Sequence, residues 1–197
     1  MPISVPCLIS TPQNTSPWIV TGGFHTCLNQ YREKPIPSLL LFEGDLNAAA
    51  KWMSRPNPGQ NPNISLGFDF WFVLPVVDRT IYFVIGNQQD IRVAACQGYA
   101  IGVYNGDNTL RIYRVNAGVL TSLVSYGVVL AAGTLYHTRM TREYSGANRF
   151  WRLYLDDMNT PVAGPSASDA TYTDFGWWGT DHLTNARCVW GGESSQW

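Results

Sequence analysis

A strict alternation of large apolar residues with smaller or polar ones runs from Ile64 to Leu74. The residues on one side of this alternation are Ile64, Leu66, Phe68, Phe70, Phe72 and Leu74. The residues on the other side are Ser65, Gly67, Asp69, Trp71 and Val73. Because successive side chains of a β-strand point to opposite faces, this period of two predicts a strand with one fully buried face.

The segment from Gly98 to Asp157 repeats this kind of signal, and turn-forming residues separate the repeats. The strands predicted here are Tyr99 to Tyr104, Thr109 to Val115, Val119 to Ser125, Leu135 to Thr141 and Phe150 to Leu155. Runs such as Asn105-Gly106-Asp107-Asn108 tolerate the positive φ angles that hairpin turns need. Many short strands with regular turns, and no long internal repeat, predict an all-β sandwich or jelly roll. This segment is therefore expected to build most of a two-sheet sandwich.

Shorter elements are predicted on both sides of this segment. The additional strands are Leu39 to Phe42, Thr80 to Ile85, Ile91 to Ala95, Ala170 to Tyr172, Phe175 to Trp178 and Arg187 to Trp190. Asp45 is a good N-cap for one short helix from Leu46 to Met53, which contains a run of alanines. Pro56 and Pro58 are expected to end this helix.

Residues 1–38 are rich in Pro, Ser, Thr and Asn and are predicted to form an extended arm. The prolines that exclude a regular helix or a central strand there are Pro2, Pro6, Pro12, Pro17, Pro35 and Pro37. The predicted organisation is an arm over residues 1–38, followed by one jelly-roll domain over residues 39–197. The N-terminus lacks a charged segment followed by a continuous apolar one, so no secretory signal is predicted.

The composition fits a large β core and narrows the classes of partner. Charged residues make up 14% of the 197 residues, against about 25% in an ordinary globular domain. This low fraction also fits a surface that is partly covered by other subunits. With a formal net charge of −1 and no basic patch, nucleic-acid binding is not expected. No apolar run approaches the roughly 20 residues that span a bilayer, so membrane insertion is not expected either.

The cysteines leave two states open, and they are Cys7, Cys27, Cys96 and Cys188. In the first state they are paired, and a bond between Cys7 and Cys27 would hold the arm. In the second state they are free thiols, most of them buried. No two of them form a C-x-x-C pair, so a zinc site is not indicated.

Three stretches in order along the chain resemble the concanavalin A-like lectin/glucanase superfamily, above all its laminin G-like branch: GYAIGVYNGDNTLRIYRV, AAGTLYHTRMTREYSGANRFWRLYLDD and SDATYTDFGWWG. The matching positions are Gly133, Tyr136, Arg142, Trp151, Leu153, Tyr154, Leu155 and Asp156. The resemblance covers residues 39–190 and implies a jelly-roll sandwich of two antiparallel sheets, one of them concave. The superfamily includes lectins, carbohydrate-binding modules, glycosidases, lyases and assembly modules, so the fold alone does not determine the function.

The sequence lacks the carboxylate motif that the resemblance implies for catalytic members. Laminarinase-type members carry it as E-x-D-x-x-E on one strand, and retaining glycosidases need two carboxyls about 5–5.5 Å apart. The glutamates of this chain are isolated: Glu33, Glu43, Glu143 and Glu193. Glu43 and Asp45 come nearest to a pair and are interpreted as a strand-end turn and an N-cap. The chain is therefore predicted not to be an enzyme.

The three histidines are scattered along the chain: His25, His137 and His182. His137 lies on a predicted strand, and no G-x-S-x-G or comparable nucleophile motif accompanies it. We interpret all three as structural histidines.

Glycan recognition is the site chemistry that the aromatic content favours. Sugars present apolar C–H faces on which flat rings stack, and polar neighbours fix their orientation. The candidate glycan-binding residues are Trp177, Trp178, Tyr104, Asn105, Asp107 and Tyr113. Because neighbours on a strand point to opposite faces, one of the two tryptophans should enter the core and the other face out. The alternative is that most of these rings are core or protein-interface residues.

Calcium is the one cofactor for which the sequence offers candidates, and the alternative is a chain without any cofactor. The resemblance implies that laminin G-like relatives often hold an ion at a sheet rim through aspartates and backbone oxygens. The candidate aspartates in loops are Asp78, Asp107, Asp169 and Asp174.

Three functional hypotheses remain open. The first is a non-catalytic jelly-roll module that recognises carbohydrate, alone or within a larger assembly. The second is a structural virion-type protein, such as a capsid decoration, tail or fibre component, whose arm pins it to neighbouring subunits. The third is a glycosidase or lyase with an unrecognised site. The first two favour an extracellular or virion-surface location and an oligomeric state.

Overall fold

The computed structural model describes residues 19–21, 24–27, 41–44, 51–56, 66–73, 80–88, 93–104, 108–131, 134–173, 175–182 and 189–196. Within these ranges the chain forms thirteen β-strands and no helix. The strands are β1 (Ile19–Thr21), β2 (Phe24–Cys27), β3 (Leu41–Gly44), β4 (Lys51–Pro56), β5 (Leu66–Val73), β6 (Thr80–Gly86), β7 (Gln97–Tyr104), β8 (Thr109–Asn116), β9 (Val119–Gly127), β10 (Leu135–Ser145), β11 (Asn148–Leu155), β12 (Trp177–His182) and β13 (Val189–Gln196). The described part of the chain thus contains no helix that could cross a bilayer.

The strands form two sheets, and every pairing between neighbours is antiparallel. The seven-stranded sheet has the order β1-β4-β12-β6-β7-β8-β9, and the six-stranded sheet has the order β11-β10-β5-β13-β3-β2. Strands distant in sequence are neighbours in both sheets, as β13 beside β5 and β12 beside β6 show. The predicted all-β sandwich of two antiparallel sheets is confirmed.

The core lies between the two sheets and is rich in aromatic rings. Phe68, Phe70 and Phe72 of β5 are buried, as the alternation along this strand predicts. The ring of Phe70 stacks on Phe83 of the facing sheet, with ring centroids 4.5 Å apart. Each buried side chain of this size stabilises the fold by roughly 1.5–3 kcal/mol. The core is therefore built by the alternating apolar positions of strands from both sheets.

A fully buried arginine, Arg142 on β10, lies among these rings. Its guanidinium carbon is 4.5 Å from the ring centroid of Phe175 and 5.9 Å from that of Trp151. It donates hydrogen bonds to the carbonyl oxygen of Tyr172 at 3.0 Å and to the hydroxyl of Tyr144 at 3.1 Å. Burial lowers the pKa of Arg142 from its ordinary value. This residue, which belongs to the resemblance, is thus part of the core.

The predicted helix from Leu46 to Met53 is wrong over its last residues. Lys51, Trp52 and Met53 begin β4, which pairs with β1 on one side and β12 on the other. Partners on both sides outweigh the local helix propensity, which is a weak preference by comparison. Residues 45–50 lie outside the described residues.

Two of the short predicted strands are also wrong. Residues 93–95, in the predicted strand Ile91 to Ala95, form a turn in which the amide of Cys96 donates to the carbonyl of Val93 at 2.9 Å. Residues 170–172 belong to an irregular segment, where Asp169 accepts the amide hydrogen bond of Thr171 at 3.0 Å. Local side-chain and turn hydrogen bonds satisfy the backbone in both places without a sheet.

Parts of the predicted N-terminal arm pair with the domain. β1 forms the outermost strand of the seven-stranded sheet beside β4, and β2 forms the outermost strand of the six-stranded sheet beside β3. Both are edge strands, which agrees with the exclusion of central strands from this proline-rich segment. The division of the chain at residue 38 stays a prediction, because residues 1–18 lie outside the described residues.

β6 and β7 approach each other so closely at one end that a side chain does not fit. A Cβ atom on Gly98 would lie 2.1 Å from the carbonyl oxygen of Ile85. Cys96, which directly precedes β7, is a fully buried thiol. The side chains of the other three cysteines lie outside the described part of the chain, so their pairing stays open.

Candidate functional site

The side of the seven-stranded sheet that points away from the core, here called its outer face, carries a second cluster of side chains. Alternation along β6 sends Phe83 and Ile85 into the core and Tyr82 and Val84 to the outer face. The buried members of the outer cluster are Tyr82, Val84, Cys96, Ala100 and Val115. Tyr113 and Leu120 pack against them and are partly exposed. This face therefore combines an apolar floor with accessible side chains at its margin.

Tyr82 and Tyr113 meet above a glycine on the strand between them. Their rings are edge to face, with centroids 6.0 Å apart and an interplanar angle of 69°. Gly102 pairs with Tyr82 on one side and with Arg111 on the other. A Cβ atom on Gly102 would lie 2.5 Å from Cε2 of Tyr113 and 2.9 Å from Cε1 of Tyr82. The absence of a side chain at Gly102 thus lets both rings lie against the sheet.

Arg111 ties this ring pair to the neighbouring strand. Its Nη1 donates to the hydroxyl oxygen of Tyr113 at 3.3 Å, and its Nε donates to Oγ of Ser125 at 3.3 Å. Arg111 and Tyr113 are half-buried, whereas Ser125 and the nearby Ser122 are exposed. We call Tyr82, Gly102, Arg111, Tyr113 and Ser125 together the tyrosine–arginine site. It offers a ring surface beside hydrogen-bonding groups, which is the combination that sugar recognition uses.

The structure brings two of the predicted glycan-binding residues to this face. Tyr113 is a member of the tyrosine–arginine site. Trp177 is the first residue of β12, is half-buried and pairs with Gly86. Alternation along β6 assigns the position opposite Gly86 to the side that carries Tyr82 and Val84. Tyr113 and Trp177 therefore share one face of the sheet but lie at different heights on it.

The other predicted glycan-binding residues are described less fully. For Tyr104 and Trp178 the structure gives the backbone alone: Tyr104 ends β7, and Trp178 pairs with Ile85. Asn105 and Asp107 lie outside the described residues. The side of the sheet toward which Trp178 points thus stays a prediction.

Of the predicted calcium ligands, only Asp169 is described, and protein groups surround its carboxylate. Its oxygens accept hydrogen bonds from the Tyr99 hydroxyl at 2.8 Å and from Nη1 of Arg114 at 3.0 Å, besides the Thr171 amide. Burial alone would raise the pKa of Asp169, but the hydrogen bonds from Thr171 and Tyr99 and the charge of Arg114 outweigh it and lower the pKa. The same burial raises the pKa of Tyr99.

No metal-binding cluster of three or more His, Cys, Asp or Glu side chains occurs among the residues that the structure describes. Asp78, Asp107 and Asp174 lie outside those residues. The calcium site therefore stays a prediction.

The outer face of the six-stranded sheet has a different chemistry. Asp69 on β5 is only 1% exposed, and its Oδ1 lies 2.7 Å from Nε2 of His137 and 2.8 Å from Nε of Arg139 on β10. Farther along the same sheet, Nε of Arg152 donates to Glu143 at 2.7 Å. His137 is hydrogen-bonded within the fold, as a structural histidine should be. For His25, His182 and Glu43 the structure gives the backbone alone, and Asp45 lies outside the described residues.

Sequence reasoning missed three members of the tyrosine–arginine site: Tyr82, Gly102 and Arg111. One usable signal was present, since alternation in the stretch TLRIYRV places Arg111 on the same side as Tyr113. Nothing local indicated that Tyr82 would meet Tyr113, because β7 lies between their strands.

No protein-family model and no curated protein matches this chain. Solved structures do match it over nearly its whole length. The carbohydrate-binding module CBM66 from Bacillus subtilis aligns with a TM-score of 0.56 at 15% identity, covering 90% of this chain and 93% of that one. A protein of unknown function with a galectin-like fold from Bacillus subtilis aligns with a TM-score of 0.61 at 8% identity, covering 95% and 93%.

The exoplasmic/lumenal domain of VIP36 in its Ca²⁺- and mannose-bound form aligns with a TM-score of 0.51 at 12% identity, covering 91% of this chain and 83% of that one. At such identities these likenesses show the fold alone. The fold that this chain shares with them is a two-sheet antiparallel jelly-roll sandwich. Membership of the concanavalin A-like superfamily and of its laminin G-like branch stays a prediction.

Proposed function

We propose that this protein is a non-catalytic carbohydrate-binding module whose ligand site is the tyrosine–arginine site on the outer face of the seven-stranded sheet. The observation that carries the proposal is the contact of Arg111 with both Tyr113 and Ser125, beside the Tyr82–Tyr113 ring pair. The arrangement places a fixed hydrogen-bond donor next to a partly exposed aromatic ring.

The members of the site have different roles in this proposal. Tyr113 offers its ring to the apolar face of a sugar, and Arg111 with the exposed Ser122 and Ser125 hydrogen-bonds to sugar hydroxyls. Tyr82 is 9% exposed, so it supports the ring of Tyr113 rather than contacting the sugar. Trp177 would extend the contact surface toward the start of β12.

The similar structures support this function, because they include sandwiches of the same fold that bind carbohydrate. One of the matching structures is a carbohydrate-binding module, and another holds mannose and Ca²⁺. We propose an extracellular location on the same basis. Calcium remains a proposal for the loop aspartates of this chain, with Asp169 the weakest candidate because its oxygens already bind Tyr99, Arg114 and Thr171.

A glycan array with the purified protein tests the proposal, followed by titration of the best ligand. Tyr113→Ala should weaken binding about tenfold. The stacking of one sugar on one aromatic ring contributes on the order of 1–1.5 kcal/mol, and 1.4 kcal/mol corresponds to a factor of ten. Arg111→Ala should weaken binding by a similar factor. Arg152→Ala on the opposite face is the matched control and should bind like the wild type. A folded wild-type protein that binds no glycan, or a Tyr113→Ala variant with full affinity, would overturn the proposal.

The second candidate function is that of a structural virion-type protein. One observation bears on which parts of its arm could contact a neighbouring subunit. β1 and β2 each pair with their own domain along one edge. An arm that pins a neighbouring subunit would use residues 1–18 or 28–38, or the outer edges of β1 and β2. Deleting residues 1–18 and measuring the molecular mass in solution would test that role, which predicts loss of the assembly.

A further inference from the structure

The strand at the far edge of the seven-stranded sheet, β9, has an unprotected sequence. It pairs with β8 on one side only and ends the order of the sheet. From Val119 to Leu130 the chain reads VLTSLVSYGVVL, without a charged residue or a proline. Natural edge strands usually carry lysine, proline or inward-pointing charges that block pairing with another chain. β9 has none of these three.

The surface around β9 is exposed and partly apolar. Val119 is 64% exposed and Val129 is 80% exposed, and with Val93 they are the exposed large hydrophobic residues of the described part of the chain. Thr121, Ser122 and Ser125, which lie between the two valines, are exposed as well. The part of the chain that the structure describes therefore leaves this edge uncovered.

We propose that β9 pairs antiparallel with β9 of a second copy of this chain, joining the two seven-stranded sheets edge to edge. Antiparallel pairing about a two-fold axis at Val124 places Val119 of each copy opposite Val129 of the other, and Val129 lies two residues past the end of β9 at Gly127. The contact is self-complementary, as a two-fold interface requires. It covers the two most exposed apolar residues of the described chain with each other.

A β-bulge in the β8–β9 ladder limits where β9 can pair regularly with a second copy. The β8–β9 register shifts between Ile112 and Tyr113, close to the middle of β9. Such bulges increase the local twist and shorten a flat edge. Val119 and Val129 lie on opposite sides of this point, so the proposed apolar contacts are at the two ends of the interface, away from the bulge.

The pairing has a consequence for ligand binding that rests on the proposed function. β8, which carries Arg111 and Tyr113, lies directly beside β9. With neighbouring strands about 4.8 Å apart, the two β8 strands of the pair would lie about 14 Å apart on one continuous face. Two sites at this spacing would bind a branched or repeating glycan with avidity.

Sedimentation velocity of the full chain without glycan, over a wide concentration range, tests the pairing. We expect a reversible dimer, and the double variant Val119→Lys/Val129→Lys should raise its dissociation constant about tenfold or more, which corresponds to about 1.4 kcal/mol. Thr121→Lys adds a charge inside the paired segment, leaves both valines in place and should act in the same direction. Ala147→Lys is the matched control, because it adds the same charge at an exposed residue in the turn between β10 and β11 of the other sheet.

A wild-type chain that stays monomeric at every concentration overturns the pairing, provided that circular dichroism shows it folded. A dimer that Ala147→Lys weakens as much as the double variant overturns the assignment to β9. The two proposals fail separately: a dimer without glycan binding removes the proposed function alone, and glycan binding by a monomer removes the pairing alone.

Discussion

The outer faces of the two sheets both carry polar side chains, but these side chains have different partners. On the six-stranded sheet, Asp69 bridges His137 and Arg139, and Glu143 binds Arg152. On the seven-stranded sheet, the four strands from β6 to β9 contain no Asp or Glu, and Arg111 donates to two hydroxyl groups. Among the side chains that the structure describes, ion pairs organise the first face, and rings with the contacts of Arg111 to two hydroxyls organise the second.

This difference indicates which face can exchange its partners for a ligand. The guanidinium of Arg111 donates to the neutral hydroxyls of Tyr113 and Ser125, and a sugar hydroxyl can accept the same hydrogen bonds, so the exchange costs little free energy. Separating the buried Asp69 from Arg139 would leave a buried charge without compensation, which costs several kcal/mol. Polar side chains occur on both faces, and the type of partner separates a structural cluster from a candidate binding site.

The largest expected effect comes from removing the buried carboxylate. Asp69→Ala leaves the basic side chains of His137 and Arg139 without their shared acceptor and should lower the free energy of unfolding by about 3 kcal/mol. Urea denaturation measures this loss. Glu143→Ala is the control, because its ion pair with Arg152 is partly exposed and such pairs contribute about 0–1 kcal/mol.

The contrast between the two faces also predicts the glycan affinity of Asp69→Ala. If the six-stranded face is structural, the folded fraction of this variant should bind glycan with the affinity of the wild type. A variant that keeps its stability but loses glycan binding would show that the ion-paired face is the ligand site, and the assignment of the two faces would be reversed.

A smaller effect is expected at Asp169, whose carboxylate is held by neutral donors as well as by one cation. Asp169→Asn should lower the free energy of unfolding by about 2 kcal/mol at neutral pH, since hydrogen bonds to a charged group contribute about 1.5–3 kcal/mol. The difference depends on pH because the pKa of Asp169 is lowered in the folded state. Its stabilisation is fully present above the unfolded pKa of about 3.9 and is lost as the pH falls through the folded pKa.

Urea denaturation from neutral pH down to strongly acidic pH measures this dependence. The wild type and Asp169→Asn should converge in stability at the acid end and differ most at neutral pH. A difference that stays constant over the whole range would mean that the carboxylate charge of Asp169 contributes nothing, and that packing alone explains the loss.

The sequence predicted the parts of this molecule that depend on one strand at a time. Alternation assigned Phe68, Phe70 and Phe72 to the core, and hairpin turns defined most strands from β7 to β11. It did not predict β4, because Lys51 to Met53 become a strand only through partners on both sides. Local propensity carries no information about such partners.

The candidate site shows the same limit. Tyr113 was identified as a ring near a hairpin, and Trp177 as one of an adjacent pair. The contact of Tyr113 with Tyr82 depends on the register of β6, β7 and β8 around Gly102. That register is fixed by the packing of the whole sheet, so the ring pair could be found only from the structure.

The smallest change with a clear expected effect is a single methyl group at Gly102. Alanine there places Cβ 2.5 Å from Cε2 of Tyr113, so the ring pair must move. We expect a stability loss of about 1 kcal/mol from the displaced rings, and a drop in glycan affinity of about tenfold if the rings form the site. Gly127→Ala on β9 is the matched control, since no atom lies within 4 Å of the added Cβ. Calorimetric titration of both variants measures the affinities. If Gly102→Ala binds glycan as tightly as Gly127→Ala does, the positions of Tyr82 and Tyr113 do not determine binding, and the ligand must contact another part of the protein.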